Sequence, residues 1–235
     1  MGESCLLYYI TDRSAFSGDE HTRRQHLLHK IAEAAANGVD YIQLREKDLS
    51  ARELESLARE AISVIRDNCK RSSGMQRSTS GLLINSRTDV ALAVRAAGVH
   101  LPVNDLSPQD VRTAWRFGVQ ADRSEFRPEP LIAVSCHSPE EIRTAVASGA
   151  SFAVFAPVFE KKNARDAYDA KPAGLDALRT ACNANIPVLA LGGISLENAS
   201  SCLCAGAAGI AAIRLFQENE ISKIVRALRR GAARL

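Results

Sequence analysis

Eight runs rich in branched and aromatic residues recur along the chain, each followed by a stretch of helical periodicity. They are CLLYYITD (5–12), YIQLREK (41–47), GLLINS (81–86), GVHLP (98–102), LIAVSCH (131–137), FAVFAPVF (152–159), PVLALGG (187–193) and GIAAIRLF (209–216). Parallel strands cannot be joined by a tight turn, so a strict alternation of this kind points to βα crossovers and a parallel sheet. Eight units close most economically as a single (β/α)8 barrel, with an open doubly wound sheet as the alternative.

The helical stretches carry their own signals. Leu27, Leu28, Ile31, Ala34 and Ala35 share one face of the first, and Leu54, Leu57, Ala58, Ala61, Ile62 and Ile65 share one face of the second. Ser50 and Glu53 have capping-box spacing at the start of the second helix. Ser107-Pro108 and Ser138-Pro139 open two others. Gly98, Gly118, Gly149 and Gly206 are expected to supply left-handed helix stops.

With 235 residues, 46% of them hydrophobic, the chain can bury one sizeable core, and a single domain over 1–235 is expected. A net charge of +3 without basic runs interleaved with aromatics speaks against nucleic acid as a partner. No N-terminal leader pattern and no run of about 18 apolar residues is present, so a soluble cytoplasmic protein without a membrane partner is expected. A homo-oligomer is left open. Cysteines 5, 69, 136, 182, 202 and 204 form no C-x-x-C pair and read as reduced core thiols rather than disulfide or metal partners. Two polar insertions, 69–80 and 119–130, join helices to strands and are expected to be flexible loops on the bottom face. The segment 160–173 follows the sixth strand and belongs on the catalytic face, where a loop of that length is usually functional.

The stretch YIQLREKD (41–48) poses a problem for a sheet covered on both faces. If Ile42 and Leu44 face the helices, Gln43, Arg45 and Lys47 face the barrel interior, the last two nearest its mouth. Two buried cations are costly unless an anion or a carboxylate meets them. Either a ligand supplies the anion, or Asp12 or Glu46 pairs with Arg45. Other strand ends bring polar groups to the same level: Asn85, His100, Asp105, and Ser135 with His137 on one face. Gly192-Gly193 and Gly206 to Gly209 fall in units seven and eight, where such barrels commonly bind phosphate through backbone N–H groups. Close packing is the competing explanation for those glycines.

The segments YYITD, IQLREKD, LLINSRTDVALAVRAAGVHLP, VSCHSPEEI, GASFAVFAPVF and IPVLALGGISLENASSCLCAGAAGIAAI together resemble the thiamine phosphate synthase family and its thiazole tautomerase relatives, from about Tyr8 to Phe216. The resemblance implies a TIM barrel that takes small phosphorylated substrates. Such a synthase joins an aminopyrimidine diphosphate to a thiazole phosphate and releases pyrophosphate with help from Mg2+. It further implies that Gln43, Arg45, Lys47 and Asn85 hold the pyrimidine diphosphate, with Arg45, Lys47 and His137 as the catalytic candidates. Ser135 would lie near the pyrimidine and Asp105 would bind the metal. Gly192, Gly193 and the backbone around Gly209 would hold the thiazole phosphate.

The departures are specific. Ser86 stands where the family's synthases usually carry a metal-binding aspartate. Glu160-Lys161-Lys162-Asn163-Ala164 replaces a Thr/Lys-rich loop, and Ala164 falls at the lysine position, with Lys161, Lys162 and Lys171 as candidate substitutes. Arg214 occupies a place where a small residue is more usual. The FxxVFE pattern of Phe155 to Glu160 is closer to the tautomerase branch, which would rely on His137 and need no metal. A non-catalytic barrel that binds thiamine precursors is the third reading. His100 is expected to be a packed structural residue, and Arg229, Arg230 and Arg234 to complement the dipole of the last helix.

Overall fold

The computed structural model describes residues 5–71, 80–121, 128–160 and 171–233. Its eight strands are β1 (Leu6–Ile10), β2 (Tyr41–Leu44), β3 (Gly81–Asn85), β4 (Gly98–Leu101), β5 (Leu131–Cys136), β6 (Phe152–Phe155), β7 (Val188–Ala190) and β8 (Gly209–Ala212). Each pairs in parallel with its successor, and β8 returns to β1 in the register Leu6↔Gly209 and Tyr8↔Ala211. The closed barrel excludes the open sheet. Among the described residues the connecting helices are α1 (Glu20–Ala36), α2 (Ala51–Arg71), α3 (Thr88–Val94), α4 (Pro108–Ala121), α5 (Pro139–Ala147), α6 (Gly174–Ala181), α7 (Ala199–Cys204), α8 (Arg214–Gln217) and α9 (Ile221–Ala232). A short 3-10 turn, Arg13–Ala15, follows β1.

The two-residue period of the strands sorts their side chains into two layers. Leu7, Tyr9, Ile42, Leu44, Ile84, Val99 and Leu101 pack outward beneath the helices. Tyr8, Ile10, Leu83, Ala133, Phe152, Val154, Leu189 and Ala211 fill the interior. Ile42 and Leu44 therefore face the helices as expected, which turns Gln43 inward.

Every apolar run outlasts its strand, because the last one to four residues leave the ladder to form the βα loops. The eighth run departs most: β8 stops at Ala212, and Arg214–Gln217 is a helical turn. The predicted insertions also begin later than expected. Residues 69–71 continue α2 and 119–121 continue α4, while 72–79 and 122–127 lie outside the described residues.

The predicted caps at Ser50 and Ser138 form. Ser50 N donates to Glu53 Oε2 at 2.9 Å and Glu53 N to Ser50 Oγ at 3.4 Å, and Ser138 Oγ accepts from Glu141 N. Ser107 Oγ accepts from Asp110 N at 3.1 Å in the same way. Gly149 and Gly206 adopt the left-handed conformation, but Gly98 and Gly118 do not. Arg95, at φ 57°, takes that conformation after α3, and Gly118 lies within α4. Gly98 and Gly209 instead begin β4 and β8, where a Cβ would stand 1.8 Å from Leu131 O and 2.0 Å from Leu6 O. Close approach of neighbouring strands, not chain reversal, requires glycine there.

Cys5, Cys136 and Cys202 are buried, Cys182 is partly buried, Cys204 is exposed, and all five are unpaired. Burial pushes the Cys5 and Cys182 thiols up to about 11 and those of Cys136 and Cys202 up to about 12, which keeps them protonated and unreactive. Arg229 is more than a dipole partner: it donates to Gly38 O at 2.7 Å and to Asp40 Oδ2 at 3.0 Å, tying α9 to the turn before β2. Arg234 lies outside the described residues. No described helix is long and apolar enough to cross a membrane.

Candidate active site

The inward positions at the upper ends of β2 to β5 are polar and bonded to one another. Gln43 Nε2 donates to Asn85 Oδ1 at 2.8 Å, and Asn85 Nδ2 to Ser86 Oγ at 3.2 Å. Ser86 has φ 62°, a conformation unusual for a residue with a side chain, and its N–H donates to His100 O at 2.9 Å. Gln43 is 1% exposed, and its Oε1 has no hydrogen-bond partner among the described residues. A buried carbonyl oxygen left in that state is a ready acceptor for a ligand N–H.

His100 links this row to the barrel floor. Its Nδ1 lies 3.1 Å from the Tyr8 hydroxyl and its Nε2 2.7 Å from Ser135 Oγ. Tyr8 is enclosed by Tyr41 and Phe152, both edge-to-face. Were the phenol to accept from His100, its own O–H would be buried without an acceptor, so it donates to Nδ1. Nε2–H then donates to Ser135 Oγ, and the Ser135 proton is left for a ligand. Burial, reinforced by the charge of Arg45, lowers the His100 pKa to about 3, so the ring is neutral. The expected structural role of His100 stands, with Ser135 as the residue it orients.

Arg45 is half-buried and Lys47 is exposed, so the expectation of two buried cations is corrected. Strand β2 ends at Leu44, so Arg45 and Lys47 lie on the chain beyond the ladder. Among the described residues the buried cation is Arg13, 5% exposed, and it takes the carboxylate expected to serve Arg45. Arg13 Nη1 stands 3.2 Å from Glu46 Oε2 and 2.7 Å from Asp48 Oδ1. Asp12 instead caps the turn after β1 by accepting from Ser14 N. Sequence reasoning missed Arg13, although the alternation that groups Arg45 with Lys47 equally groups Glu46 with Asp48.

Around the rest of the mouth the predicted residues fare unequally. His137 is exposed, and with Ala156 O 2.5 Å away its Nδ1 is the donor, which leaves Nε2 for other partners. Gly192 and Gly193 have φ 97° and 65°, and a Cβ on them would meet Pro157 Cα at 2.7 Å and Glu160 O at 2.6 Å. Phe159 N donates to Gly192 O at 3.0 Å, so this pair holds the start of the β6–α6 connection. Gly209 is not brought to the mouth. It is the first residue of β8, at the opposite end from Ala212, and 206–208 form the bottom connection from α7.

Asp105 lies in the β4–α4 connection, partly exposed, its Oδ1 accepting from Leu106 N at 2.8 Å. No group of three or more His, Cys, Asp or Glu that could hold a metal occurs among the described residues. Arg214 opens α8 and is half-exposed, with Glu218 Oε1 3.8 Å away. Lys161, Lys162 and Ala164 fall outside the described residues. The far end of their loop is anchored, with Ala173 N on Pro157 O at 2.9 Å and Gly174 N on Val158 O at 3.2 Å.

Known proteins match this arrangement along nearly its whole length. A family model described as thiamine monophosphate synthase matches residues 7–216. A thiamine-phosphate synthase of Roseiflexus sp. is 34% identical over 88% of this chain and 76% of its own. Another, of Chlorobium luteolum, is 36% identical over 82% of this chain and 81% of its own. A solved thiamine phosphate pyrophosphorylase from Pyrococcus furiosus superposes with a TM-score of 0.75 at 27% identity, covering 99% of this chain and 97% of that one.

Proposed function

Because the chain belongs to the thiamine monophosphate synthase family, we propose that it is a transferase that joins an aminopyrimidine diphosphate to a thiazole phosphate and releases pyrophosphate. The observation that carries this reading is the pair of polar groups Gln43–Asn85–Ser86 and His100–Ser135 at the upper ends of β2 to β5, with Arg45 and Lys47 on the chain just beyond β2. In this reading the Gln43 Oε1 acceptor and the Ser135 hydroxyl orient the pyrimidine, and Asn85 supports Gln43. Arg45 and Lys47 receive the diphosphate.

The chemistry has a clear electrostatic demand. The bond between the pyrimidine's exocyclic carbon and the diphosphate oxygen breaks with both electrons leaving on oxygen. The thiazole nitrogen then forms the new C–N bond with its lone pair. Negative charge accumulates on the departing diphosphate, and preorganised cations at that point lower the barrier. His100, held neutral by burial, adds no competing positive charge beneath the developing carbocation. Backbone N–H groups near Gly192 and Gly193 would take the thiazole phosphate across the mouth. Gly209, at the other end of β8, takes no part.

The donor set suits Mg2+ only in a limited way. Asp105 supplies a carboxylate and Ser86 a hydroxyl, which fits an ion that keeps several waters and draws its remaining ligands from substrate phosphates. Asp105 would hold the ion, which when bound neutralises charge on the leaving diphosphate. The protein would act as a soluble cytoplasmic enzyme on small phosphorylated substrates.

The second reading, a thiazole tautomerase, is favoured by one observation: Ala156 O fixes the His137 tautomer so that Nε2 can accept a proton. One experiment separates the two. Purified protein is given both synthase substrates with Mg2+, and thiamine phosphate is measured against a no-enzyme blank. Parallel assays compare Lys47→Ala with His137→Ala. A synthase loses most through Lys47. A roughly 10²–10⁴-fold loss of thiazole isomerisation in His137→Ala, with Lys47→Ala silent, would establish the tautomerase instead.

A further inference from the structure

We propose that Arg13 is a positioning residue that fixes the backbone of 45–49 and thereby aims Arg45 and Lys47 at an anionic ligand; this rests on the synthase reading of the mouth. The need for such a device follows from the strand ends. The β2 ladder closes at Leu44↔Ile84 and Ile10↔Gln43, so among the described residues the strand pairing ends before the stretch that carries the two cations. What holds it is the β1–α1 connection, through side chains.

The contacts form one connected set. Arg13 N donates to Glu46 Oε1 at 3.3 Å and Oε2 at 3.1 Å, and Arg13 Nη1 donates to Oε2 at 3.2 Å. Thr11 Oγ1 donates to Glu46 Oε1 at 2.5 Å and accepts from Arg45 N at 3.0 Å. The same guanidinium grips Asp48 with two bonds, Nη1–Oδ1 at 2.7 Å and Nη2–Oδ2 at 2.8 Å. Its Nε donates to Glu20 Oε1 at 2.7 Å, which ties the arrangement to α1.

Lys47 therefore lies between two residues bound by one planar group, and Arg45 is bonded through its own N–H. Glu46 is 6% exposed, and burial raises its carboxyl pKa against the opposing pull of Thr11 and Arg13. The Arg13 guanidinium meets both acids at once, and its planar fork spans Glu46 and Asp48 in a fixed geometry that an ammonium does not reproduce. In REKD the two acids thus serve the scaffold, and the two bases are presented to the mouth.

The test combines a readout that needs no ligand with one that does. In Arg13→Ala, amide hydrogen exchange across 45–49 is expected to accelerate at least tenfold. In Arg229→Ala, which breaks the Asp40 ion pair at the far end of the barrel, exchange there stays unchanged. Inorganic pyrophosphate, titrated by calorimetry, should bind Arg13→Ala about tenfold more weakly. Lys47→Ala should then cost less than threefold in that background, because a displaced lysine has little left to lose. Arg13→Lys should recover part of the affinity, and Glu46→Gln serves if Arg13→Ala does not fold. Unchanged exchange at 45–49, or faster exchange with unchanged or purely additive affinities, would overturn the proposal. A wild-type protein that fails to bind pyrophosphate would sink the synthase reading and the aiming role together, while the exchange data still decide whether Arg13 holds the loop.

Discussion

The two halves of the barrel mouth are built on opposite plans. From β2 to β5 the upper inward positions carry Gln43, Asn85, His100 and Ser135, joined in two pairs by side-chain hydrogen bonds. From β6 to β8 the interior is filled by Val154, Leu189 and Ala211, and the loops above it meet through Gly192, Gly193 and backbone bonds such as Val158 N to Leu191 O. On the proposed synthase reading, one half would recognise its ligand with side chains that a substitution can remove singly. The other sets backbone position, where any added side chain displaces the chain itself. Apart from the fully buried His100, substitutions in the first half should therefore affect binding and leave the fold, whereas those in the second should affect the fold first.

The largest effect is expected at Gly192. Alanine there would combine a φ of 97° with a Cβ 2.7 Å from Pro157 Cα, a backbone atom that cannot rotate away. Strain and overpacking together should cost about 3 kcal/mol of stability. For a chain of this size that is a fall in Tm of roughly 6–12 °C by calorimetry. A Gly192→Ala protein that melts with wild type would erase the contrast between the halves.

The opposite signature is expected at the end of β2. Arg45→Ala and Lys47→Ala should each weaken pyrimidine diphosphate binding by about 1.5–3 kcal/mol, the range for hydrogen bonds to charged groups, while Tm moves little. If titration finds wild-type affinity in both variants, the cations belong to the scaffold and the polar half has another purpose.

The contrast was unevenly legible in the sequence. The alternation of eight strand-like runs points to a parallel sheet, most economically a barrel, because periodicity records burial directly, and Gln43 turns inward on that argument; closure itself came from the structure. What periodicity does not record is which residues pair once a strand has ended. Arg13 follows β1 in a stretch with no repeating pattern, and its partners lie 33 and 35 positions away. Glycines carry a similar ambiguity. Gly192 and Gly209 look alike in sequence, yet one lies at the mouth and the other starts its strand at the far end, because the ladder ends several residues before the apolar run does. The roles of His100 and Ser135 depend on register between β4 and β5, which only the closed barrel supplies.

His100 gives the polar half a pH dependence that the apolar half lacks. Its folded pKa of about 3 lies below the ordinary 6.5, so between those values the unfolded chain binds a proton that the folded chain refuses. Stability is therefore lost as pH falls below about 6.5. By pH 5 the loss should approach about 2 kcal/mol, from about 1.4 kcal/mol per pH unit. His100→Gln has no such proton to bind, so denaturant titrations at pH 7 and pH 5 should show the wild-type advantage over this variant shrinking by that amount. A constant difference would mean that the imidazole is protonated or hydrated in the folded barrel.

The smallest effect concerns Ser86, which lies in the polar half and is bonded to Asn85. Its φ of 62° is a conformation that aspartate tolerates better than most residues, so Ser86→Asp should fold with a Tm close to wild type. The new carboxylate would stand next to Asn85, on the rim that Asp105 also serves. Mg2+ takes few protein ligands and holds its waters, so one further carboxylate should lower the Mg2+ concentration for half-maximal synthase activity only a few-fold, by less than about 1 kcal/mol. The direction matters more than the size. A lower requirement places Ser86 within reach of the ion and makes the metal part of the polar half. An unchanged or higher requirement, with activity and Tm retained, would show that the diphosphate is managed by Arg45 and Lys47 without an ion at that position.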